Sequence, residues 1–183
     1  MLCIVIYQPS NIVAKIGSLV KNYAGRTFKA ADFCQIIHIT DTDGAFIPND
    51  VIVEDVSAIK PFYSETNIKT YNKIGIKNRN QRKRENLNRL SSTSEIWSIP
   101  YRVYYMSCNL DHVLYGKMNS TDEEKKNDAF SFAKKYRDNI PEFINYISNS
   151  DFSVVDSYPQ SWQYIREGLH SLERHTNFGL CFK

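Results

Sequence analysis

Two aspartates one residue apart close an apolar run in Cys34-Gln35-Ile36-Ile37-His38-Ile39-Thr40-Asp41-Thr42-Asp43-Gly44. The run reads as a buried strand followed by D-x-D and a turn glycine. Side chains i and i+2 of a strand point the same way, so extended backbone past Thr40 would send both carboxylates from one face. Open α/β sheets bind ligands at the carboxyl ends of their strands. Asp41 and Asp43 there would suit Mg²⁺ (or Mn²⁺), which takes one or two protein carboxylates and completes its shell with water or phosphate. The chemistry expected is metal-assisted work on a phosphate. The competing reading is an ordinary turn, because Asp and Gly both favour turns.

Other residues extend or limit that chemistry. Asp111 offers a third carboxylate if the strand ending at Ser107 lies beside the one ending at Thr40. Its alternative is a helix N-terminal acid that satisfies free amides and the dipole. The block Lys77-Asn78-Arg79-Asn80-Gln81-Arg82-Lys83-Arg84-Glu85-Asn86-Leu87-Asn88-Arg89 is strongly basic. On a helix, Arg79, Arg82, Asn86 and Arg89 fall near one stripe with Lys83 alongside. Arg79, Arg82, Lys83 and Arg84 are therefore candidate contacts to the phosphates of DNA or RNA. A solvated helix face is the alternative. Phe62, Tyr63 and Tyr71 could stack on bases, but 12 Tyr and 10 Phe make aromatics common here.

Zinc finds little support. Cys34 and His38 stand four residues apart on a strand, about 13 Å, too far to share a metal. Cys108 and His112 lack a second pair at ligand spacing, and His170 and His175, five apart on a helix, do not share a face. No nucleophile elbow and no phosphate-cradling glycine loop occurs.

Composition frames these candidates. The 183 residues are 42% hydrophobic, enough for one domain with a core. Mean hydropathy is −0.44, and no apolar run approaches the ~20 residues of a membrane helix. The four cysteines, Cys3, Cys34, Cys108 and Cys181, are scattered and read as reduced thiols of a cytoplasmic protein. Net charge is +3 but unevenly spread. No acid precedes Asp32, whereas Asp41, Asp43, Asp50, Glu54 and Asp55 cluster ahead of the basic block. An acidic strand end beside a basic segment suits a metal site serving a polyanion.

Elements that would position the site follow from periodicity. A strand is expected over 2–7, read as a strand because it is too short for a signal peptide. A helix is expected over 11–24, with Ile12, Ile16, Leu19, Val20 and Tyr23 as its stripe, and the D-x-D strand over 34–40. Residues 44–75 show no period and read as an irregular excursion. A helix over 77–92 and a strand over 101–106 come next, then a short helix from Leu110 to Leu114. Thr121-Asp122-Glu123-Glu124 is a capping box that opens a helix to about Arg137. Pro141 starts another to about Ser148. The last is expected from Ser161 to about His175, with Trp162, Ile165, Leu169 and Leu172 buried. The order implies an α/β fold: a small parallel sheet with covering helices and a helical C-terminal part. Residues 1–116 form the α/β region and 117–183 pack on it, a single domain overall.

The strand-helix-strand order with Asp41-Thr42-Asp43-Gly44 at the second strand end resembles the topoisomerase-primase (TOPRIM) domain. It is most similar to the small TOPRIM proteins of phage defence, of the overcoming-lysogenisation-defect and RloB-like kind. Ser107-Cys108-Asn109-Leu110-Asp111-His112-Val113-Leu114 stands where their next conserved-type segment would. The resemblance, over about residues 1–116, implies a Rossmann-like sheet and a Mg²⁺-dependent nuclease-like activity carried by Asp41, Asp43 and Asp111. It also implies a glutamate at the end of the first strand, and this chain has none there. Either the first strand-helix unit is missing, with 2–24 matching the second, or the glutamate has been substituted. A missing unit would leave a sheet edge for a second copy or a partner protein to cover. Two functions are therefore expected: a metal-dependent nucleic-acid-processing protein, or an inactive TOPRIM-like fragment that serves as a binding or interaction module.

Overall fold

The computed structural model describes residues 11–183; the strand expected over 2–7, with Cys3, lies outside them. Helix α1 (Ile12–Ala24) leads to strand β1 (Ile36–Asp41), then to β2 (Ile52–Glu54), β3 (Phe62–Tyr63) and β4 (Ile68–Thr70). Helix α2 (Lys73–Ser91) precedes β5 (Glu95–Ile96) and β6 (Ile99–Met106). Four helices follow: α3 (Leu110–Tyr115), α4 (Asp122–Tyr136), α5 (Ile140–Asn149) and α6 (Tyr158–Tyr164). No helix among the described residues is long and apolar enough to cross a membrane.

The fold is mixed α/β, with two three-stranded sheets among the described residues. In the first, β1 and β6 run parallel, Ile36 opposite Tyr101 through Asp41 opposite Met106. Strand β5 turns back antiparallel on β6. Trp97 and Ser98 both take positive φ, 53° and 58°, as a tight two-residue hairpin of this hand demands. In the second sheet, β4 is central, parallel to β2 and antiparallel to β3. The sheets are thus mixed, where an all-parallel one was expected. The second sheet also occupies the stretch 44–75 expected to be irregular. Its strands are two or three residues long, too short for alternation to register in sequence.

Burial explains the layers. Along β6, Tyr101 and Val103 face the first core cluster with Ile12, Ile16, Leu87, Leu90, Trp162 and Ile165. From Tyr104 onward every residue of the strand is buried, because the C-terminal segment covers the other face. Tyr104 packs edge-on against Tyr158 and Phe178 at 5.9 and 5.7 Å. Strand β1 is less buried than its apolar run suggested: Ile37 and Ile39 are 49% and 44% exposed, while His38 turns inward to the Tyr101 hydroxyl at 2.7 Å. A second cluster joins Ile47, Ile52, Ile68, Ile76 and Leu172 beneath the small sheet. A third joins Met106 and Val113 to Ile147 and Phe152, packing the C-terminal helices on the α/β part.

Two element boundaries and one buried stripe differ from expectation. Helix α2 begins at Lys73, four residues before the expected 77, because the Asn72 side chain accepts from the Gly75 amide at 2.8 Å. The last helix stops at Tyr164 instead of near His175. Gly168 takes a φ of 51°, and the Ser171 carbonyl is drawn to the Thr42 hydroxyl and the Cys108 amide, both at 2.9 Å. On α1, Tyr23 is 82% exposed and stands outside the buried stripe.

The segment that replaces the end of that helix binds the edge of β6. Met106 bridges Thr176 antiparallel. The Tyr105 amide donates to the Asn177 side chain at 2.8 Å, and the Asn177 amide donates to Ser161 at 3.0 Å. Asn177 is fully buried, so its loss strands the Tyr105 N–H without water. Asn177→Ala is expected to lower unfolding free energy by about 1–3 kcal/mol, measured by urea denaturation; an unchanged midpoint would contradict this role.

Candidate functional site

The loops that extend β1 and β6 build the site. Past Asp41 the Thr42 amide still donates to Met106, at 2.9 Å, and the Asp43 amide to Cys108, at 2.7 Å. Thr42 is fully buried, and its hydroxyl accepts from the Cys108 amide at 2.9 Å. The extended geometry ends there, because Asp43 and Gly44 take φ of 48° and 65°. The two carboxylates therefore do not leave one face of a continuing strand; a left-handed turn brings them together. Gly44 is required at its position: a Cβ there would lie 2.7 Å from Leu172.

Cys108 also takes a positive φ, 51°, and the chain swings directly into α3. Asn109 caps that helix through the His112 amide at 2.9 Å. The first amide of the helix, that of Leu110, faces the Asp41 carboxylate and favours its charged form. Asp111 lies in the same first turn and meets Lys125 at 3.8 Å. Asp111 is a helix N-terminal acid, one of the two roles weighed from sequence; its charge is the smallest of the influences on Asp41, and its own charged neighbours are Lys125, Asp128 and Lys117.

Asp41 and Asp43 act on each other at this strand end. Burial first, then the Asp43 charge, raise the Asp41 pKa, against the pull of Lys83 and the Leu110 amide, to a net value of about 6. Burial above all, then the Asp43 and Asp41 charges, push the Cys108 thiol up to about 12. Cys108 is therefore a protonated thiol at neutral pH and a poor nucleophile.

Helix α2 supplies the opposite charge. Lys83 forms an ion pair with Asp43. Arg79 donates to the Asp43 carbonyl at 2.8 Å and to the Tyr63 hydroxyl. Buried Asn80 donates to the Gly44 carbonyl at 3.2 Å. Arg84 donates to the carbonyls of Ala45 and Ile47 at 3.2 and 3.4 Å. Asn86 is buried, whereas Arg82 and Arg89 face solvent. The candidate phosphate contacts are thus split. Arg79 and Arg84 hold loop carbonyls, Lys83 holds an acid, and Arg82 is exposed with no ion-pair partner among the described residues.

The donor set suits a hard divalent ion in kind, since carboxylate oxygens crowd one another with one ammonium among them. Among the described residues no three His, Cys, Asp or Glu side chains are arranged as a metal-holding group. A metal here would rest on two carboxylates, with water or phosphate as the remaining ligands. Zinc at the Cys–His pairs has no such group either. Cys34 is exposed, Cys108 buried and Cys181 intermediate, all three free.

Sequence reasoning missed Asn80 and Ser171 and weighed Tyr63 only as a base-stacking aromatic; all three hold the turn in place. A signal existed for Asn80. It lies on the stripe of Ile76, Leu87 and Leu90, and a polar residue on a core-facing stripe requires a polar partner. His170 and His175 also depart from expectation. With the last helix broken, their rings come within 5.6 Å of each other, and His175 lies 3.3 Å from Glu173. No family model matches the chain, and neither a curated protein nor a solved structure is found to match it.

Asp41 makes stability depend on pH in a defined direction. Its folded pKa, about 6, exceeds the ordinary 3.8, so the folded state holds the proton more tightly. The resulting stabilisation is fully present below pH ~4 and is lost as pH rises through ~6. Asp41→Asn is therefore expected to be more stable than the parent chain at pH 7, by about 1–3 kcal/mol, and nearly equal to it at pH 4. Urea melts in EDTA across this range check it; a difference independent of pH would refute it.

Proposed function

We propose that this chain is a TOPRIM-like, metal-dependent nucleic-acid-processing protein of the nuclease kind, with Mg²⁺ or Mn²⁺ held by Asp41 and Asp43. One observation carries the reading: Asp41 and Asp43 lie together at the carboxyl end of β1, in the parallel pair with β6, and the Asp43 charge raises the Asp41 pKa. Carboxylates that repel one another in a half-buried cluster gain from a cation, and this is where α/β sheets place ligands. The phage-defence setting rests on the resemblance of Asp41-Thr42-Asp43-Gly44 and the Ser107–Leu114 segment alone.

When bound, the metal would stabilise charge on a phosphoryl oxygen and acidify water. The chain's own residues supply the rest. Asp41 would have to give up its proton to hold a cation, so affinity would rise as pH passes ~6. Lys83, paired with Asp43, would compete with a cation there and could instead donate to a phosphate oxygen. Arg82, exposed on α2, contacts the substrate backbone beside it. Arg79 and Arg84 act indirectly, by fixing the turn that carries the acids.

A specific observation favours the second reading, an inactive TOPRIM-like binding or interaction module. The Lys83–Asp43 ion pair neutralises one carboxylate without any metal. Calorimetric titration of Mg²⁺ and Mn²⁺, paired with cleavage assays on DNA and RNA, separates the two. The nuclease reading expects binding that Asp41→Asn/Asp43→Asn abolishes together with cleavage. Lys83→Gln is expected to tighten binding about fivefold, the equivalent of a partly exposed ion pair of about 1 kcal/mol. Wild-type protein that binds neither ion and cleaves nothing would overturn the nuclease reading in favour of the module.

A further inference from the structure

We infer that the α4–α5 face is a homodimer interface in which α4 packs antiparallel against α4 of a second copy. This surface is separate from the acidic site and does not depend on the function proposed for it. An apolar groove of about 570 Å³ runs between the two helices, lined by Phe130, Phe132, Tyr136, Ile140 and Phe143 among others. Phe130 is 73% exposed and Ile140 55% exposed. Burying such side chains removes apolar area from water, which drives association.

The charge pattern of α4 selects the occupant. Glu123, Phe130 and Arg137 are spaced seven residues apart, so they lie on one face of the helix, about 10 Å between neighbours along the axis. Glu123 and Phe130 are exposed. The Arg137 side chain is 76% exposed and forms an open ion pair with Asp138 through Nε at 3.4 Å, leaving its terminal N–H groups for a second acid. Phe130 is the midpoint of this stripe. A two-fold axis through Phe130 therefore places Glu123 of each copy against Arg137 of the other, with the two Phe130 rings between them. Such self-complementarity is what an isologous interface requires. The helix as a whole repeats the pattern: Asp122, Glu123 and Glu124 occupy its first turn, Lys134 and Lys135 its last. The long stems of Lys126 and Lys134 flank the contact and keep their ammonium groups at its rim. An unrelated acidic partner would match the basic end of the stripe but would leave the acidic end opposed to like charge.

Sedimentation equilibrium of the full chain over a wide concentration range tests the inference. The parent chain is expected to shift from one chain mass to two as concentration rises, and Phe130→Asp to stay monomeric throughout. Glu123→Arg and Arg137→Glu are each expected to weaken association at least tenfold, and the double variant to restore it. Circular dichroism confirms that each variant retains its helix content. As a second readout that needs no disruptive change, Phe130→Cys in a Cys34→Ser background should form an intermolecular disulfide under mild oxidant. A parent chain that remains monomeric, a dimer indifferent to Phe130→Asp, or charge reversals that fail to rescue each other would overturn the inference.

Discussion

Much of this structure depends on satisfying the carbonyl groups of one turn. Where β1 ends, Asp43 and Gly44 enter left-handed backbone, and the strand ladder can no longer pair the groups that follow. The carbonyls of Asp43, Gly44, Ala45 and Ile47 sit among buried residues, and a buried carbonyl without a donor costs about 1–3 kcal/mol. Helix α2 meets that demand with Arg79, Asn80 and Arg84. A helix with few apolar residues is thereby docked through guanidinium and amide groups. Ile76, Leu87 and Leu90 add the apolar contacts that close the joint.

The same docking sets the electrostatics. Bringing the turn under α2 buries Asp41 beside Asp43, and Lys83 answers part of that charge. The carboxylate cluster is therefore held at a cost to folding, which is the usual relation between a site with shifted pKa values and the scaffold that carries it. Cys108, fully buried beside the turn, is kept protonated chiefly by burial and then by the Asp43 and Asp41 charges. Its positive φ, not its thiol, is what the site uses, because that turn aims the first amide of α3 at Asp41.

The second support comes from the far end of the chain. Residues 168–177 leave the helical path at Gly168 and run under both strand ends. Ser171 binds Thr42 and Cys108 through its carbonyl and the Phe46 amide through its hydroxyl. Leu172 fills the space beside Gly44, and His175 exchanges hydrogen bonds with Ser107. Thr176 and Asn177 then cap the edge of β6. Each contact spans more than sixty residues of sequence, so the site forms only when the whole chain has folded.

The residues of the chain, read in order, were enough to place Asp41 at a strand end, to set α1, α3, α4 and α5 within a few residues, and to mark the basic helix. Those features rest on local rules: apolar spacing, the Thr121 capping box, Pro141 in a first turn. They were not enough for the small second sheet, whose strands are too short to carry a period, or for the early end of α6. Tertiary packing alone decided the arrangement of the site. A strand continued past Thr40 would have presented the two aspartates side by side, but the left-handed turn at Asp43 is imposed by contacts with Cys108, Leu172 and α2. The direction of the basic side chains was decided in the same way. Sequence could count the charges of Arg79, Lys83 and Arg84, but only the folded chain pointed them inward, because the unpaired carbonyls and the acid they serve lie some forty residues away.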